Sequence, residues 1–165
     1  MRETLRPALI GAALLLTGCG FTPMYANPHT VAGLAGIEVV EPHGRFGHLL
    51  HEDLDDALGR DKSAQPAYRL ELVVDQTRGA RGLTREDVSR YYDVGVTVRY
   101  VLRATADGKT LDSGEISTQV SYDDSGQAYA DIMAAQDAQA RAASDAARRI
   151  QLKLASYMAR QAASR

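Results

Sequence analysis

The chain has 165 residues, with 19 basic and 21 acidic side chains and a formal net charge of −2. This balance excludes the strong basic excess that is typical of nucleic-acid-binding domains, and the length suits one domain with its own core. The single cysteine excludes a disulfide framework and a metal site built on several thiolates.

The first 18 residues have the parts of a removable export signal. Arg2 and Arg6 supply positive charge, and an uncharged apolar run follows over residues 8–16. This run is shorter than the roughly 20 residues that a membrane-spanning helix needs. It ends in Leu-Thr-Gly-Cys over residues 16–19, which resembles the lipobox of bacterial lipoproteins. We therefore expect cleavage before Cys19, rather than a short membrane anchor, with an S-linked diacylglycerol and an N-acyl group on Cys19.

The mature chain is predicted to begin with a lipidated tether, residues 19–36, followed by a single domain, residues 37–165. Prolines and glycines in the tether disfavour a helix. Residues 37–40 are predicted to form a short strand that Pro42 ends. Apolar residues at helical spacing then predict a helix over residues 46–58, for which Gly59 is a stop signal.

The second half of the domain changes from helical to alternating periodicity. Apolar residues at every second position predict a strand over residues 68–74, and residues 77–83 are predicted to form a glycine-rich basic loop. Residues 89–122 are predicted to form a long antiparallel hairpin that turns at Asp107 and Gly108. Four tyrosines lie on or near this hairpin, where they suit either cross-strand pairs or a partner interface: Tyr91, Tyr92, Tyr100 and Tyr122.

A last helix is predicted up to about residue 163, because residues 129–163 contain neither glycine nor proline. Asp124 and Gln127 have the spacing of a capping box at its start. Its predicted buried face holds Ile132, Ala135, Ala142, Ala146, Ile150, Leu154 and Tyr157.

The order of these elements predicts an α+β fold. Two amphipathic helices would pack on one face of a small sheet of about four strands, as a two-layer sandwich. The sheet could be mixed or antiparallel, because the helical crossover after the first strand permits either orientation for that strand.

The start and the end of the mature chain resemble the lipopolysaccharide-assembly lipoproteins of the LptE family. Cys19-Gly20-Phe21, followed by Pro23 and Tyr25, is similar to the mature start of that family. The order of strands and helices agrees with the same family. So does the long alanine-rich last helix, which ends in residues 150–157.

The resemblance implies an outer-membrane lipoprotein without enzymatic activity. Such a protein sits in the lumen of the β-barrel translocon LptD, helps it to assemble, plugs it and handles lipopolysaccharide. Its lipid anchor would hold it to the inner leaflet of the outer membrane. The residue after the cysteine is Gly20 and not Asp, which resembles lipoproteins that are sorted to the outer membrane. No cofactor other than the lipid on Cys19 and no nucleic-acid partner is implied. The alternative is a lipid-binding, periplasm-facing lipoprotein of an ABC-type transport system.

Four arginines around the predicted basic loop are the candidate contact residues for lipopolysaccharide phosphates or for acidic loops of a partner. They are Arg78, Arg81, Arg85 and Arg90. Guanidinium groups form strong charge-assisted bonds with both kinds of anion. The alternative interpretation is a solvated loop, because acidic residues lie among the arginines.

Neither a metal site nor a catalytic centre is predicted. His48 and His51 would share one face of the first predicted helix, but His43 precedes that helix and a fourth ligand is not evident. Surface histidines are the simpler interpretation. The acidic residues of the same helix lack an accompanying nucleophile or phosphate-binding motif, which disfavours a lipid-anchored hydrolase.

Overall fold

The computed structural model describes residues 28–81 and 91–163, and these residues form three helices and one four-stranded sheet. The predicted signal, Cys19, and residues 82–90 lie outside the described residues. Within the described part, no helix is both long and apolar enough to cross a membrane. In chain order the elements are α1 (Pro28–Ala35), β1 (Ile37–Val39), α2 (Gly44–Leu58), β2 (Tyr68–Ala80), β3 (Tyr91–Ala104), β4 (Thr110–Asp123) and α3 (Ala128–Ala163).

Helix α2 forms where the apolar spacing predicts a helix. Phe46, Leu50 and Leu54 recur at helical intervals, so they share one face, and all three are buried. The helix ends at Gly59, whose φ of +61° lies in the left-handed region. Its N–H donates to the carbonyl of Asp56 at 3.1 Å. The predicted stop at Gly59 is confirmed, because glycine adopts this conformation without a steric penalty.

The sheet has the strand order β1-β2-β3-β4. Strand β1 is parallel to β2, since α2 crosses over between them, and the other neighbours are antiparallel. The predicted hairpin turn is confirmed: Gly108 has a φ of +71° and its N–H donates to the Ala104 carbonyl at 2.9 Å. The sheet is therefore mixed, one of the two arrangements that the sequence left open.

The core lies between one face of this sheet and the helices. Alternate residues of β3 point into the core, including Val96, Val98 and Leu102, and all three are buried. Helix α3 packs against it through buried small residues followed by larger ones, among them Ala142, Ala146, Ile150 and Leu154. Small side chains allow the helix to approach the sheet closely. The predicted α+β two-layer fold is confirmed.

The outer face of the sheet, which points away from the helices, is mostly polar. A guanidinium nitrogen of Arg99 lies 2.6 Å from a carboxylate oxygen of Asp75 on the neighbouring strand, and Arg103 lies 3.1 Å from Glu71 in the same way. The first pair is more than half exposed and the second is partly exposed, so each contributes about 1 kcal/mol or less to folding. Their main effect is to give this face alternating charges.

Residues 28–35 form helix α1, so the prediction of a tether without helix is wrong for this stretch. Pro28 occupies the first helical position, where a missing N–H costs little. Thr30 and Leu34 are buried against the rest of the domain. Gly33 lies close to Met158, whose sulfur would be 3.1 Å from an added Cβ. Helix α1 therefore packs with the rest of the described domain.

Strand β2 continues to Ala80, so the prediction of a loop is wrong for residues 77–80. These residues are exposed and lack apolar alternation, which is why the sequence does not indicate a strand. They extend the strand because β3 offers a partner for each of them, from Thr77 opposite Gly95 to Ala80 opposite Tyr92. Pairing with a neighbour overrides the local glycine signal.

The start of α3 also differs in detail from the prediction. The carboxylate of Asp131 accepts hydrogen bonds from the backbone N–H and the hydroxyl of Ser125, at 2.8 and 2.9 Å. Asp124 accepts from the N–H of Gly126 at 3.0 Å instead of capping the helix. The predicted capping box between Asp124 and Gln127 is therefore not formed, and hydrogen bonds from Ser125 to Asp131, in the first turn of α3, take its place.

Candidate functional site

Two of the four candidate arginines lie at one end of the sheet, which we call the tip. The tip is where β2 ends, β3 begins and β4 ends, and it comprises residues 78–81, 91–93 and 122–123. Arg78 and Arg81 belong to it, and both are exposed. Arg85 and Arg90 lie outside the described residues. The structure therefore places two of the predicted arginines at the same end of the sheet but on opposite faces: Arg78 contacts Tyr92 on the helix-facing side and Arg81 contacts Asp93 on the outer side.

Arg78 lies on a pair of stacked tyrosines. Tyr92 and Tyr122 face each other across β3 and β4, with ring centroids 5.7 Å apart and planes at 20°. The guanidinium carbon of Arg78 is 4.5 Å from the Tyr92 centroid and 5.5 Å from that of Tyr122. A cation over an aromatic face at a surface gains about 0.5–1 kcal/mol. The rings hold the guanidinium in place and leave its N–H edges available for an anion.

Among the described residues, no carboxylate lies within ion-pair distance of Arg78. The Tyr122 hydroxyl in the same cluster is buried and has no hydrogen-bond partner there. Tyr122 is only 5% exposed, and a buried polar group without a partner is costly. Among the described residues, the tip therefore holds a guanidinium group without a carboxylate partner and a buried hydroxyl group without a hydrogen-bond partner. The tyrosine pairing itself confirms the cross-strand interpretation of these residues.

Arg81 is held by a network of polar residues. Its Nε lies 2.9 Å from a carboxylate oxygen of Asp93. Asp93 also accepts hydrogen bonds from Ser121 at 2.6 Å and Gln119 at 2.7 Å. The Ser121 hydroxyl, followed by Arg81 and Gln119, holds the pKa of Asp93 below its usual value. Asp93 thus stays ionised and fixes the position of Arg81.

A patch of large apolar side chains lies on the first turns of α3, which follow directly after the tip. Tyr129 is 78% exposed, Ile132 55% and Met133 45%. The prediction that Ile132 belongs to the buried face is wrong, whereas Ala142, Ala146, Ile150 and Leu154 are buried as expected. This exposed patch was not predicted from the sequence. Its signal is three large apolar residues within five positions of an otherwise alanine-rich helix start.

The histidines of α2 form ordinary surface contacts. His48 Nδ1 lies 3.1 Å from a carboxylate oxygen of Glu41, and Nε2 lies 3.6 Å from Glu52. In residues 28–81 and 91–163, no three metal-binding side chains come together to hold an ion. His43 is the residue just before the helix and does not cap it with its side chain.

A family model described as lipopolysaccharide-assembly, LptE, matches residues 32–154. The fold is similar to the crystal structure of a lipoprotein from Caulobacter crescentus CB15, with 40% identity and a TM-score of 0.69; the alignment covers 79% of this chain and 96% of that one. A comparison with curated proteins gives no match.

Two more distant structures share the fold. The rare lipoprotein B of Shewanella oneidensis is 18% identical, with a TM-score of 0.55, and the alignment covers 73% of this chain and 92% of that one. A minor lipoprotein of Acinetobacter baumannii is 14% identical, with a TM-score of 0.53 and coverages of 73% and 88%. The family match spans most of the chain and the described domain, and the chain therefore belongs to the LptE family of lipopolysaccharide-assembly lipoproteins.

Proposed function

We propose that this lipoprotein is anchored in the outer membrane, where it helps to assemble and plugs the β-barrel translocon LptD and contacts lipopolysaccharide on its way to the surface. The observation that carries the proposal is the family match over residues 32–154. The protein acts by binding, without a catalytic step.

The sequence of the N-terminus supports the membrane anchor. A signal over residues 1–18 is removed, and Cys19 carries the diacylglycerol and the N-acyl group. Three acyl chains exceed the two signals that stable anchoring needs. Eight residues lie between Cys19 and Pro28, a reach of at most about 30 Å. This short tether keeps the domain at a high effective concentration beside a partner in the same membrane.

The polar outer face of the sheet supports a place inside a barrel. The lumen of a large outer-membrane barrel is polar, so a plug needs a surface that tolerates water and charged walls. Asp75 with Arg99 and Glu71 with Arg103 give this face balanced charges. Its groove of about 440 Å³ is lined mainly by polar residues, including Thr77, Ser117 and Gln119.

The tip supports contact with lipopolysaccharide. Arg78 offers a guanidinium without a carboxylate partner among the described residues, and Arg81 lies at the same tip on the opposite face of the sheet. The apolar patch of Tyr129, Ile132 and Met133 follows on α3. Lipid A carries phosphates and acyl chains, so cations next to apolar side chains match both of its parts. Arg85 and Arg90, which lie outside the described residues, are the other two candidate contact residues.

The proposal is tested by purifying the C-terminally tagged, lipidated protein from outer membranes in mild detergent. We expect a β-barrel several times its size to co-purify in about equal molar amount. A Cys19→Ser chain, which cannot be lipidated, is the matched control and should recover much less of the barrel. Elution of the lipidated protein alone, or with inner-membrane transporter subunits, would contradict the plug assignment.

The lipopolysaccharide contact is tested separately with the purified protein. We expect the Arg78→Ala, Arg81→Ala double variant to bind lipopolysaccharide at least about tenfold more weakly, because a hydrogen bond to a charged group contributes about 1.5–3 kcal/mol. Arg141→Ala is the matched control, since Arg141 is an exposed arginine on α3 whose partner is Asp137, one turn away. Equal binding by the double variant and by the control would remove the tip from the proposal.

A further inference from the structure

The outer face of the sheet carries a groove that runs across β2, β3 and β4. Its volume of about 440 Å³ is near the lower end of the range that small-molecule sites occupy. Around Gly95 it is lined by side chains that end in hydroxyl, amide, carboxylate or guanidinium groups: Asp75, Thr77, Thr97, Ser117, Gln119 and Arg149. The groove is thus large enough for a small polar ligand.

The floor of the groove is backbone at Gly95. This residue pairs with Thr77 on one neighbouring strand and with Gln119 on the other, and both of these line the groove. A Cβ added to Gly95 would lie 2.6 Å from the hydroxyl oxygen of Thr77. The missing side chain therefore leaves a depression in the sheet, with a hydroxyl group on one wall and an amide group on the other.

The two charged side chains that line the groove already have ionic partners. A guanidinium nitrogen of Arg99 donates to Asp75 at 2.6 Å, and Nε of Arg149 donates to Asp145 at 2.8 Å. An ionic ligand is attracted by a charge of opposite sign that is not yet compensated. Because both charges are compensated, the groove favours a neutral ligand over an anion or a cation.

The other polar groups in the groove are mostly hydroxyls. The hydroxyl oxygens of Thr97 and Ser117 lie 3.2 Å apart across β3 and β4, and the Thr77 hydroxyl donates to the Gly95 carbonyl at 3.4 Å. A hydroxyl group has one donor and two acceptor sites, so each keeps hydrogen-bonding capacity after these contacts. This lining matches a ligand that itself carries many hydroxyl groups.

A fixed polar network and an aromatic ring extend this surface toward the tip. Asp93 accepts hydrogen bonds from Gln119 at 2.7 Å and from Arg81 at 2.9 Å, so these side chains are held in place before any ligand binds. Such preorganisation lowers the entropic cost of binding. Tyr91 lies on the same face four residues before Gly95, about 13 Å away along the strand, and is 55% exposed.

We infer that this groove binds a neutral saccharide chain, which extends from Gly95 toward Tyr91. The hydroxyls of Thr77, Thr97 and Ser117 exchange hydrogen bonds with sugar hydroxyls, and the ring of Tyr91 packs on the apolar side of a sugar further along the chain. A free saccharide and the polysaccharide part of lipopolysaccharide offer the same chemistry. Only the choice of lipopolysaccharide as the source rests on the proposed function.

The first test uses the polysaccharide that mild acid releases from smooth lipopolysaccharide, the form with a full polysaccharide. It is titrated into the ¹⁵N-labelled mature chain carrying Cys19→Ser. We expect the amide signals of Thr77, Gly95 and Gln119 to shift until they saturate. The double variant Thr97→Val, Ser117→Ala should bind at least about fivefold more weakly. It removes both members of one hydroxyl pair, so no unpaired hydroxyl is left between them.

The matched control is Ser113→Ala, an exposed serine on the same strand and the same face as Ser117 but outside the groove. It should bind the polysaccharide as the unchanged chain does. Circular dichroism and thermal unfolding confirm that each variant is folded. Absence of saturable shifts at millimolar sugar would overturn the inference, and so would equal binding by the double variant and by Ser113→Ala.

The second test separates the two sources of saccharide by measuring binding to immobilised smooth lipopolysaccharide and to immobilised lipid A. If lipopolysaccharide is the source, the double variant Thr97→Val, Ser117→Ala should bind the smooth form more weakly and lipid A unchanged. Arg78→Ala, on the opposite face of the sheet, should weaken both. Unchanged binding to the smooth form, with released polysaccharide still bound by the unchanged chain, would assign the groove to a free saccharide. Weaker binding of the double variant to lipid A would overturn the inference.

The same measurements distinguish this inference from the proposed function. Binding of lipid A without binding of the released polysaccharide would overturn the saccharide groove and leave the proposed lipopolysaccharide contact in place. Binding of the released polysaccharide without binding of lipid A would support the groove and contradict the proposed contact through Arg78.

Discussion

Gly47→Ala gives the sharpest test of how α2 is placed. Gly47 lies in the first turns of α2, where helix propensity alone favours alanine over glycine by about 1 kcal/mol. A Cβ built at this position, however, would lie 2.2 Å from the carbonyl oxygen of Pro42 and 2.6 Å from its carbonyl carbon. Both atoms belong to the backbone of the loop that leads into the helix, so a side-chain rotation cannot relieve the overlap.

The steric term should outweigh the propensity term. Relieving the overlap requires the helix and the loop to separate by more than 1 Å, and overpacking in a closely packed region costs about 1–3 kcal/mol. We expect a cost at the upper end of this range, because backbone atoms and not only side chains have to move. After the propensity gain, we expect Gly47→Ala to lower the free energy of unfolding by about 2 kcal/mol. This corresponds to a melting temperature lower by about 8 °C for a domain of this size.

Two other glycines are matched controls in urea denaturation of the same chain. Gly79→Ala in β2 meets no atom within 4 Å and should be neutral or stabilise by up to about 1 kcal/mol. Gly33→Ala in α1 meets only the flexible side chain of Met158, at 3.1 Å, and should have a small effect. If Gly47→Ala unfolds at the same urea concentration as Gly79→Ala, the contact between Pro42 and the helix is not as described.

Three further changes test the core and the titrating groups. Ile150→Ala should lower the free energy of unfolding by about 2–5 kcal/mol in urea denaturation, because Ile150 is fully buried. The Thr118 hydroxyl donates a hydrogen bond to the carboxylate of Asp145 at 2.6 Å and holds the pKa of Asp145 below its usual value. The ionised Asp145 therefore stabilises the fold fully above the ordinary carboxyl pKa, and this contribution is lost as the pH falls through the lowered pKa. The free energy of unfolding, measured in urea between about pH 7 and about pH 3, should therefore decrease less steeply with falling pH for Thr118→Val than for the unchanged chain. Burial and the nearby Asp112 carboxylate raise the pKa of Tyr100 to about 12. The contribution of its neutral form to stability is therefore complete below about pH 10 and is lost as the pH rises from about 10 to about 12. In an alkaline absorbance titration, Tyr100→Phe should remove the last phenol to ionise.

The sequence predicts the elements whose own residues specify them. Phe46, Leu50 and Leu54 recur at helical spacing, and Gly59 supplies the left-handed end that stops α2. Gly108 marks the β3–β4 turn in the same local way. The residues of each of these elements specify it without contacts from distant segments, which is why their predictions are confirmed.

The elements that the sequence missed depend on contacts between distant segments. Helix α1 contains Pro28 and Gly33, which locally indicate a turn, but the close approach of Gly33 to Met158 lets the helix pack. The end of β2 is exposed, and its residues are extended because they pair with β3 by backbone hydrogen bonds.

The candidate site was likewise only half predictable. The arginines stand out by their charge, but the place of Arg78 on two tyrosines follows from the strand register. The exposure of Ile132 depends on how far α3 extends past its packing partners.

The central claim, a domain enclosed by a barrel, is tested most directly by labelling single cysteines in isolated outer membranes. Cys19 is the one cysteine of the chain, and the proposed lipid would block its thiol. A cysteine in place of Val73, Tyr129 or Leu152 then supplies the reactive group. These residues lie on different elements and are 55%, 78% and 49% exposed in the domain. We predict that a membrane-impermeant maleimide labels at least two of the three far more slowly in membranes opened to the reagent than in the purified domain. Equal rates at all three positions would contradict the account.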